Sequence, residues 1–275
     1  MKLPGAELVV SHLPGHQNPE VDRILRVTDL KVQFGGVKAV DGLSFSVKHG
    51  EIVSIIGPNG AGKTSAFNCI TGFYKPSGGQ VEFCGHDVTG WRPSRITKHG
   101  LARTFQNLRL FADLSVVDNV RTGEHTRVRE NLFDTVFHTP RYHRQERKSM
   151  EAARGWLDFV GFTDAEDAAI SQLSYGARRR VEIARALGCE PELLLLDEPG
   201  AGLNHNEKEE LLDLIRRIQA LGVSIVLIEH DMGLVMEVSE RVVVMNYGKE
   251  IADGTPAEVK ADPAVIEAYL GTEDG

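Results

Sequence analysis

The chain has little cysteine and no long apolar stretch. Its three cysteines, Cys69, Cys84 and Cys189, have neither CxxC spacing nor obvious histidine partners, so the sequence indicates neither a disulfide framework nor a zinc site. No segment holds the roughly 20 consecutive apolar residues that a membrane-spanning helix needs. We therefore expect small buried cysteines in a reducing compartment, and we expect any membrane contact to come through partners.

The sequence also lacks an excess of basic residues. It holds 31 Lys and Arg against 39 Asp and Glu, which gives a formal net charge of −8 and a pI near 5.7. Neutralising the phosphates of a nucleic acid needs clustered Lys and Arg, so no nucleic-acid partner is expected. A length of 275 residues suits one α/β domain with an inserted lobe.

Three short apolar runs, residues 52–56, 193–196 and 225–228, predict the central strands of a parallel sheet. Such runs are typical of parallel strands that are covered on both faces. Between residues 25 and 47, apolar residues alternate with polar ones, which predicts antiparallel strands with one wet face. Helical spacing lies between the runs, most clearly at residues 211–221. The pattern as a whole indicates α/β architecture.

The middle of the chain loses its strand signal. From about residue 87 onward it is charged and helical, with residues 150–160 the clearest amphipathic segment. We predict an inserted helical subdomain at about residues 87–175.

The two ends of the chain differ in character. Residues 241–246 and 249–252 predict a hairpin and residues 263–270 a last helix, together a C-terminal hairpin and helix at about 241–271. Residues 1–24 contain prolines and no continuous apolar stretch, so we expect a loose N-terminal extension that is neither a signal peptide nor a transit peptide.

A glycine-rich motif follows the first of the predicted parallel strands and precedes a helical run. It fits GxxxxGK[ST], and its position is the one that a phosphate-binding loop needs. Glycines let backbone N–H groups turn toward the phosphates, and the helix N-terminus adds a favourable dipole. Lys63 would bridge the β and γ phosphates, Thr64 would offer its hydroxyl to Mg²⁺, and Ser65 would reach the α phosphate. The predicted ATP-binding residues of this loop are Gly57, Pro58, Asn59, Gly60, Ala61, Gly62, Lys63, Thr64 and Ser65.

Two acids follow directly on the second buried strand. Asp197 would hold Mg²⁺, directly or through water, and Glu198 would face another side as the general base for the attacking water. Without the phosphate loop, such acids could equally be helix caps.

Two further polar residues are candidates for the same sheet edge. His230 follows the third buried strand, and it would hydrogen-bond the γ phosphate and position water, although a lone histidine is more often structural or solvated. Gln106 would complete the shell of Mg²⁺ and water.

A second helix start could also bind an anion. Ser174 is a good N-cap for a strongly helical run, and the N–H groups of that helix end would be exposed. The simpler alternative is an ordinary capped helix. Two anion-binding ends on one chain make sense if the second serves the nucleotide of a neighbouring subunit.

Together these motifs resemble the ATP-binding subunits of ABC transporters, with the cassette expected at residues 25–272. The resemblance implies a P-loop NTPase ABC ATPase fold with an antiparallel β subdomain and an inserted α-helical subdomain. It also implies that residues 57–65 form the Walker A loop and that Asp197 ends the Walker B motif. Gln106 would be the Q-loop glutamine.

The same resemblance implies the remaining roles. Glu198 would be the catalytic glutamate, His230 the switch histidine, and Phe34 the aromatic residue that stacks on adenine. Because two subunits of that family sandwich two ATP molecules head to tail, the signature residues would serve the partner's nucleotide; they are Ser174, Tyr175, Gly176 and Ala177.

Two positions depart from the family's usual pattern. Ala177 stands in the signature where many relatives carry Gly or Gln nearby, and Asn204 stands where the family usually has Asp. These departures leave open how strongly the two nucleotide sites are coupled.

Within the family, residues 67–76, 103–111 and 264–271 are similar to the ATP-binding subunit of branched-chain amino-acid importers, the member with the longer helical insert. The similarity implies an ATPase that uses ATP and Mg²⁺ and pairs with a second, non-identical ABC ATPase subunit. Two integral-membrane permease subunits and an external solute-binding protein would complete the complex. The chain would lie at the cytoplasmic face of the inner (plasma) membrane, held there through the permeases.

Two other functions remain open. An ATPase of the lipopolysaccharide-export type is favoured by the arginine-rich residues 178–185, whereas residues 104–111 favour import. A soluble ABC ATPase without a permease often has tandem cassettes or a long coiled-coil insert, and the sequence has neither. The transported solute cannot be read from the chain, because no part of it is expected to touch the solute.

Overall fold

The computed structural model describes residues 23–124, 139–162 and 165–270. Most of the predicted N-terminal extension, residues 1–22, lies outside the described residues, and Arg23 and Ile24 already belong to the first strand.

Within these ranges the chain forms ten strands and nine α-helices. The strands are β1 Arg23–Phe34, β2 Val37–Lys48, β3 Ile52–Ile56, β4 Gly78–Phe83, β5 His86–Asp87, β6 Leu101–Arg103, β7 Leu193–Asp197, β8 Ser224–Ile228, β9 Arg241–Asn246 and β10 Lys249–Gly254. The helices are α1 Lys63–Ile70, α2 Pro93–Lys98, α3 Val116–Glu124, α4 Pro140–Phe159, α5 Tyr175–Leu187, α6 His205–Ala220, α7 Met232–Val238, α8 Pro256–Ala261 and α9 Pro263–Leu270. No helix among the described residues is long and apolar enough to cross a membrane.

The chain divides into two compact units. The helical unit contains the described residues of 107–191, and the sheet unit contains those of 23–106 and 192–270.

The larger sheet of the sheet unit has the strand order β10-β9-β3-β8-β7-β6. The strands from β9 to β6 pair in parallel, and β10 pairs with β9 as the predicted antiparallel hairpin. Every residue of β3, β7 and β8 is buried, which is why these strands read as continuous apolar runs. The three predicted central strands are confirmed, and their carboxyl ends meet at one edge of the sheet.

The smaller sheet is antiparallel, with the order β2-β1-β4-β5. Its alternating burial confirms the strands predicted at residues 25–47. A buried cluster joins this sheet to β3 and to α1, with Leu25 and Leu30 from β1, Ile55 from β3, and Phe67 and Ile70 from α1. The two elements that flank the loop, β3 before it and α1 after it, are therefore both anchored in this cluster.

Strand β6 is absent from the sequence prediction and lies within the segment assigned to the helical subdomain. It has three residues and pairs in parallel with β7, with Ala102 opposite Leu194. Three residues are too few to show the alternation of apolar and polar residues that marks a strand, so only the pairing with β7 reveals β6. The boundaries proposed for the cassette and its subdomains stay predictions.

The helical unit packs α3, α4 and α5 together. Gly123 of α3 lies so close to α5 that a Cβ atom would stand 2.1 Å from the carbonyl oxygen of Arg185. Buried Asn119 donates from its amide to the carbonyl oxygens of Phe111 and Ser115, at 3.0 and 2.9 Å. The helix predicted at residues 150–160 is confirmed as the second half of α4.

Candidate active site

The predicted phosphate loop connects β3 to α1, and two of its glycines are required by close packing. Gly57 has a φ of 148°, and a Cβ atom there would lie 2.0 Å from the carbonyl oxygen of Met245. Gly62 has a φ of 101°, and its Cβ atom would lie 2.2 Å from the carbonyl oxygen of Ala39. Any side chain at either position would displace backbone, so the loop conformation depends on glycine.

Lys63 begins α1 and is folded back onto its own loop. Its Nζ donates to the carbonyl oxygens of Gly57 at 2.6 Å and Pro58 at 3.0 Å. Burial lowers the pKa of Lys63, and the nearby carboxylates of Glu198 and Asp197 act in the opposite direction. A cation held by two neutral carbonyls is well placed to exchange them for phosphate oxygens.

The two residues after Lys63 in the first turn of α1 are more exposed than Lys63 itself. Thr64 is exposed and Ser65 is half-buried, and no side chain caps this helix start, whose N-cap is Gly62. Helix N–H groups without a side-chain cap, next to a glycine-rich turn, are suited to bind an anion.

Asp197 ends β7 with its side chain buried. Arg103 donates from Nη2 to Oδ2 of Asp197 at 2.6 Å, and the backbone N–H of Asp197 donates to Oγ1 of Thr104 at 3.3 Å. Sequence reasoning gave Arg103 no role. The sequence does offer one sign that Arg103 could belong to the site: it follows an apolar pair and stands three positions before Gln106.

Glu198 meets two of the predicted site residues. It adopts a left-handed φ of 46°, and its backbone N–H donates to the carbonyl oxygen of Ile228 at 2.9 Å. Gln106 donates from Nε2 to Oε2 of Glu198 at 2.8 Å, and Nδ1 of His230 lies 3.8 Å from the same oxygen. The structure therefore brings Gln106, Glu198 and His230 together at the edge where the parallel strands end.

His230 is held by its neighbour Glu229, which sequence reasoning missed. Glu229 is fully buried and accepts hydrogen bonds from the backbone N–H groups of Gly200 at 2.7 Å and His230 at 3.2 Å. Burial raises the pKa of Glu229, and these N–H groups act against that rise. On the other side, Asp231 caps α7 and pairs with Lys208 at 2.5 Å. The side chain of His230 itself is 60% exposed. A backbone held by hydrogen bonds therefore carries an imidazole that is accessible from solvent.

Phe34 ends β1 and is 47% exposed. Its ring meets that of Tyr74 edge to face, with a centroid distance of 5.1 Å. An exposed aromatic ring held by a neighbour is suited to stack on a base.

The predicted signature lies in the helical unit. Ser174 is confirmed as the N-cap of α5, with Oγ accepting from the N–H of Ala177 at 3.2 Å. Gly176 is buried, and the hydroxyl of Tyr175 accepts from Nη2 of Arg179 at 3.2 Å. The role of these residues at a partner's nucleotide stays a prediction.

The predicted Mg²⁺ donors fit a metal that binds together with a nucleotide. Among the described residues, no group of three or more His, Cys, Asp and Glu side chains could hold a metal ion. Mg²⁺ in nucleotide sites uses one or two protein oxygens and completes its shell with phosphates and water. The hydroxyl of Thr64, the carboxylate of Asp197 and the amide oxygen of Gln106 are donors of that kind.

The fold and the site define a P-loop nucleotide-binding ATPase. The family model described as ABC transporter matches residues 40–201, and a second, described as Branched-chain amino acid ATP-binding cassette transporter, matches residues 249–275.

Two curated relatives match almost the entire chain. The high-affinity branched-chain amino acid transport ATP-binding protein BraF of Pseudomonas aeruginosa is 45% identical over 90% of this chain and 98% of its own length. The protein named LivG of Escherichia coli, with the same description, is 43% identical over the same shares.

Solved structures agree with these matches. A nucleotide-free ATP-binding cassette from an ABC transporter aligns with a TM-score of 0.79 at 33% identity, covering 90% of this chain and 98% of the other. The ADP conformation of such a cassette gives the same score and identity, covering 90% and 99%.

The chain belongs to the ABC transporter family as an ATP-binding subunit that hydrolyses ATP. The predicted fold class is confirmed.

Proposed function

We propose that the chain energises the import of branched-chain or related amino acids. The observation that supports the ATPase part of this proposal most directly is the geometry of the site. Lys63, Asp197 and Glu198 lie at the same edge of the sheet as Gln106 and His230. The relatives named for branched-chain amino-acid transport support the choice of cargo, and they match 90% of the chain.

The loop and α1 would hold the phosphates of ATP. Lys63 would exchange the carbonyls of Gly57 and Pro58 for β and γ phosphate oxygens, and Ser65 would reach the α phosphate. Phe34 would stack on the adenine. Thr64, Asp197 and Gln106 would hold Mg²⁺, whose chemistry there is to neutralise charge on the β and γ phosphates.

Glu198 would act on the attacking water. As the water oxygen bonds to the γ phosphorus, the carboxylate of Glu198 accepts its proton, and the bond from phosphorus to the bridging oxygen of ADP breaks. Gln106 and His230 both lie against Oε2 of Glu198, so they would orient the carboxylate and the water between them.

The signature would complete the partner's site. Ser174 caps α5, and this helix start would bind an anion. Ser174, Tyr175, Gly176 and Ala177 would contact the nucleotide that the partner's loop holds. The partner would be a second, non-identical ABC ATPase subunit.

Two integral-membrane permease subunits and an external solute-binding protein would complete the transporter. The chain would then lie at the cytoplasmic face of the inner (plasma) membrane, bound through the permeases. The family to which it belongs supports a permease partner.

The test is affinity purification of the tagged chain from membranes, with identification of the subunits bound to it. The recovered complex is reconstituted, and phosphate release is measured with leucine, isoleucine, valine, other amino acids, amides and urea, each with the binding protein. We expect stimulation by branched-chain amino acids, and none in a complex carrying Glu198→Gln.

Other results would change the assignment. Recovery without any permease favours the soluble class of ABC ATPase. Lipopolysaccharide is added in a separate reaction, and stimulation by it favours the export type. Stimulation by an amide or urea alone keeps the import function and corrects its cargo.

A further inference from the structure

Arg103 is a buried charged side chain beside the proposed site. It ends β6, and its side chain is 5% exposed. The guanidinium donates to Oδ1 of Asn68 at 2.7 Å, to Oγ1 of Thr71 at 3.1 Å, and to Oδ2 of Asp197 at 2.6 Å. Both terminal nitrogens of the buried guanidinium are thus hydrogen-bonded, one of them to a carboxylate, whereas Nε has no hydrogen-bond partner among the described residues.

Aromatic rings close the remaining sides of the guanidinium. Its Cζ lies 5.2 Å from the ring centroid of Phe105, 5.5 Å from that of Phe67 and 6.0 Å from that of Phe73. These rings favour a cation near their faces. In such surroundings the ion pair with Asp197 is stronger and more sharply oriented than on the surface.

The partners of Arg103 belong to two different elements. Asn68 lies on α1 and Thr71 directly follows it, whereas Asp197 ends β7. Helix α1 also carries Thr64 in its first turn. One guanidinium therefore spans the helix that offers the hydroxyl for Mg²⁺ and the strand that offers the carboxylate.

The segment after Arg103 contacts the same two acids. Thr104 accepts from the backbone N–H of Asp197, and Gln106 donates to Glu198. The orientation of both acids therefore depends on residues 103–106.

We propose that Arg103 is a positioning residue of the ATPase site, which holds Asp197 as an oriented carboxylate at a fixed distance from Thr64 and so sets the affinity for Mg²⁺ bound with nucleotide. This inference rests on the proposed role of Asp197 as a Mg²⁺ ligand. Residues that orient a metal ligand typically change metal affinity by about 10-fold to 100-fold when they are replaced.

The test measures the Mg²⁺ requirement of nucleotide binding in the purified full-length chain. The chain is mixed with a fluorescent ATP analogue, and binding of the analogue is measured as the Mg²⁺ concentration is raised. Binding of the same analogue is measured separately in EDTA, which removes Mg²⁺. In Arg103→Gln we expect the Mg²⁺ concentration for half-maximal effect to rise at least about 10-fold, while binding in EDTA changes by less than about 2-fold. Arg103→Lys should restore part of the effect, because lysine keeps the charge but lacks the planar fork that bonds several partners at once.

Arg241→Gln is the matched control. Like Arg103, Arg241 is an arginine in an ion-pair network, with Glu51 at 2.8 Å and Asp253 at 2.7 Å; it is half-buried and begins β9. Its loss should lower the midpoint of thermal unfolding and leave the Mg²⁺ requirement unchanged. Circular dichroism of each variant without nucleotide verifies folding.

Several outcomes are decisive. An unchanged or lower Mg²⁺ requirement in folded Arg103→Gln overturns the inference, and so does an equal rise in Arg241→Gln. If Arg103→Gln does not fold, Asn68→Ala decides, because it loosens the guanidinium without removing a metal donor; a raised requirement supports the inference, and an unchanged one overturns it. If Asp197→Asn leaves the Mg²⁺ requirement unchanged, the proposed role of Asp197 itself fails.

Discussion

At the scale of single residues, the site depends on carboxylates in unlike surroundings. Asp197 is buried against Arg103, Glu198 is partly exposed beside Gln106 and His230, and Glu229 is fully buried against backbone N–H groups. Surroundings this different suit different tasks, since a positioned metal ligand needs a fixed charge and a general base needs access to water.

Glu198→Gln tests the general base. The amide keeps the size of the side chain but cannot accept the proton, so hydrolysis should fall at least about 100-fold while ATP binding is retained. Phosphate release and nucleotide binding are measured in the assembled complex. Glu209→Gln, an exposed change on α6, is the control and should leave both values unchanged. Near-normal turnover in Glu198→Gln would remove that residue from the chemistry.

Glu229 gives a prediction of pH dependence. Because burial raises its pKa above the ordinary value of 4.5, the folded state keeps the neutral form longer than the unfolded state does. Its contribution to stability is therefore complete at low pH and is lost as pH rises through the raised pKa.

The measurement is the free energy of unfolding in urea between about pH 4 and pH 8. The difference between wild type and Glu229→Gln should shrink as pH rises. Glu258→Gln should give the opposite slope, because hydrogen bonds from Thr255 lower the pKa of Glu258, and its contribution is lost as pH falls. Parallel curves for wild type and Glu229→Gln would contradict this account of the buried carboxylate.

At the scale of elements, the helix starts separate into two kinds. Helix α5 begins with a serine cap at Ser174, α6 and α8 begin with complete capping boxes, and α1 begins at Gly62 without a side-chain cap. In α5, α6 and α8 the cap side chain accepts a hydrogen bond from one of the first N–H groups of the helix, as Thr139 does in α4 and Asp231 in α7. Among the described residues, helix α1 has no side-chain acceptor for its first N–H groups, and it directly follows a glycine-rich turn, which suits the proposed phosphate site.

Removing two caps distinguishes stability from function. Ser174→Ala and Thr255→Ala should each lower the free energy of unfolding by about 1 kcal/mol, since each removes a side chain that caps a helix. In the assembled complex, Ser174→Ala alone should reduce ATP hydrolysis. Urea unfolding and phosphate release measure the two effects, and an equal loss of hydrolysis in both variants would reduce Ser174 to a simple cap.

At the scale of the whole molecule, the phosphate loop and the signature belong to different units of one chain. The proposed arrangement divides each nucleotide site between two subunits, with the loop from one and the signature from the other. The consequence is that damage to the signature of one chain falls on the nucleotide held by the other chain's loop.

Site-resolved nucleotide trapping tests this arrangement in the complex. With Ser174→Ala in this chain, trapping should fall more at the partner's loop than at residues 57–64, because the missing hydroxyl would have served the partner's nucleotide. Thr255→Ala should lower neither site selectively. A larger loss at this chain's own loop would defeat the shared site.

Much of the fold could be predicted because its signals are local. The runs in β3, β7 and β8 are mostly apolar since both faces of each strand are covered, and Ser174 is recognisable as a cap from its position before a helical run. Strand β6 could not be predicted, because three residues carry no period and its existence depends on pairing with β7.

The sequence by itself determined the glycine-rich loop proposed to bind phosphate and the two acids at the end of the second strand, because glycine spacing and buried runs are properties of neighbouring residues. Only the tertiary structure decided that Arg103 holds Asp197, that Gln106 meets Glu198, and that Glu229 secures the backbone of His230. Arg103 and Gln106 are more than 90 residues from these acids along the chain, and parallel pairing of β6 with β7 brings them together. Contacts between residues this far apart produce no periodic pattern in the sequence. They become visible only when the strands are paired in register.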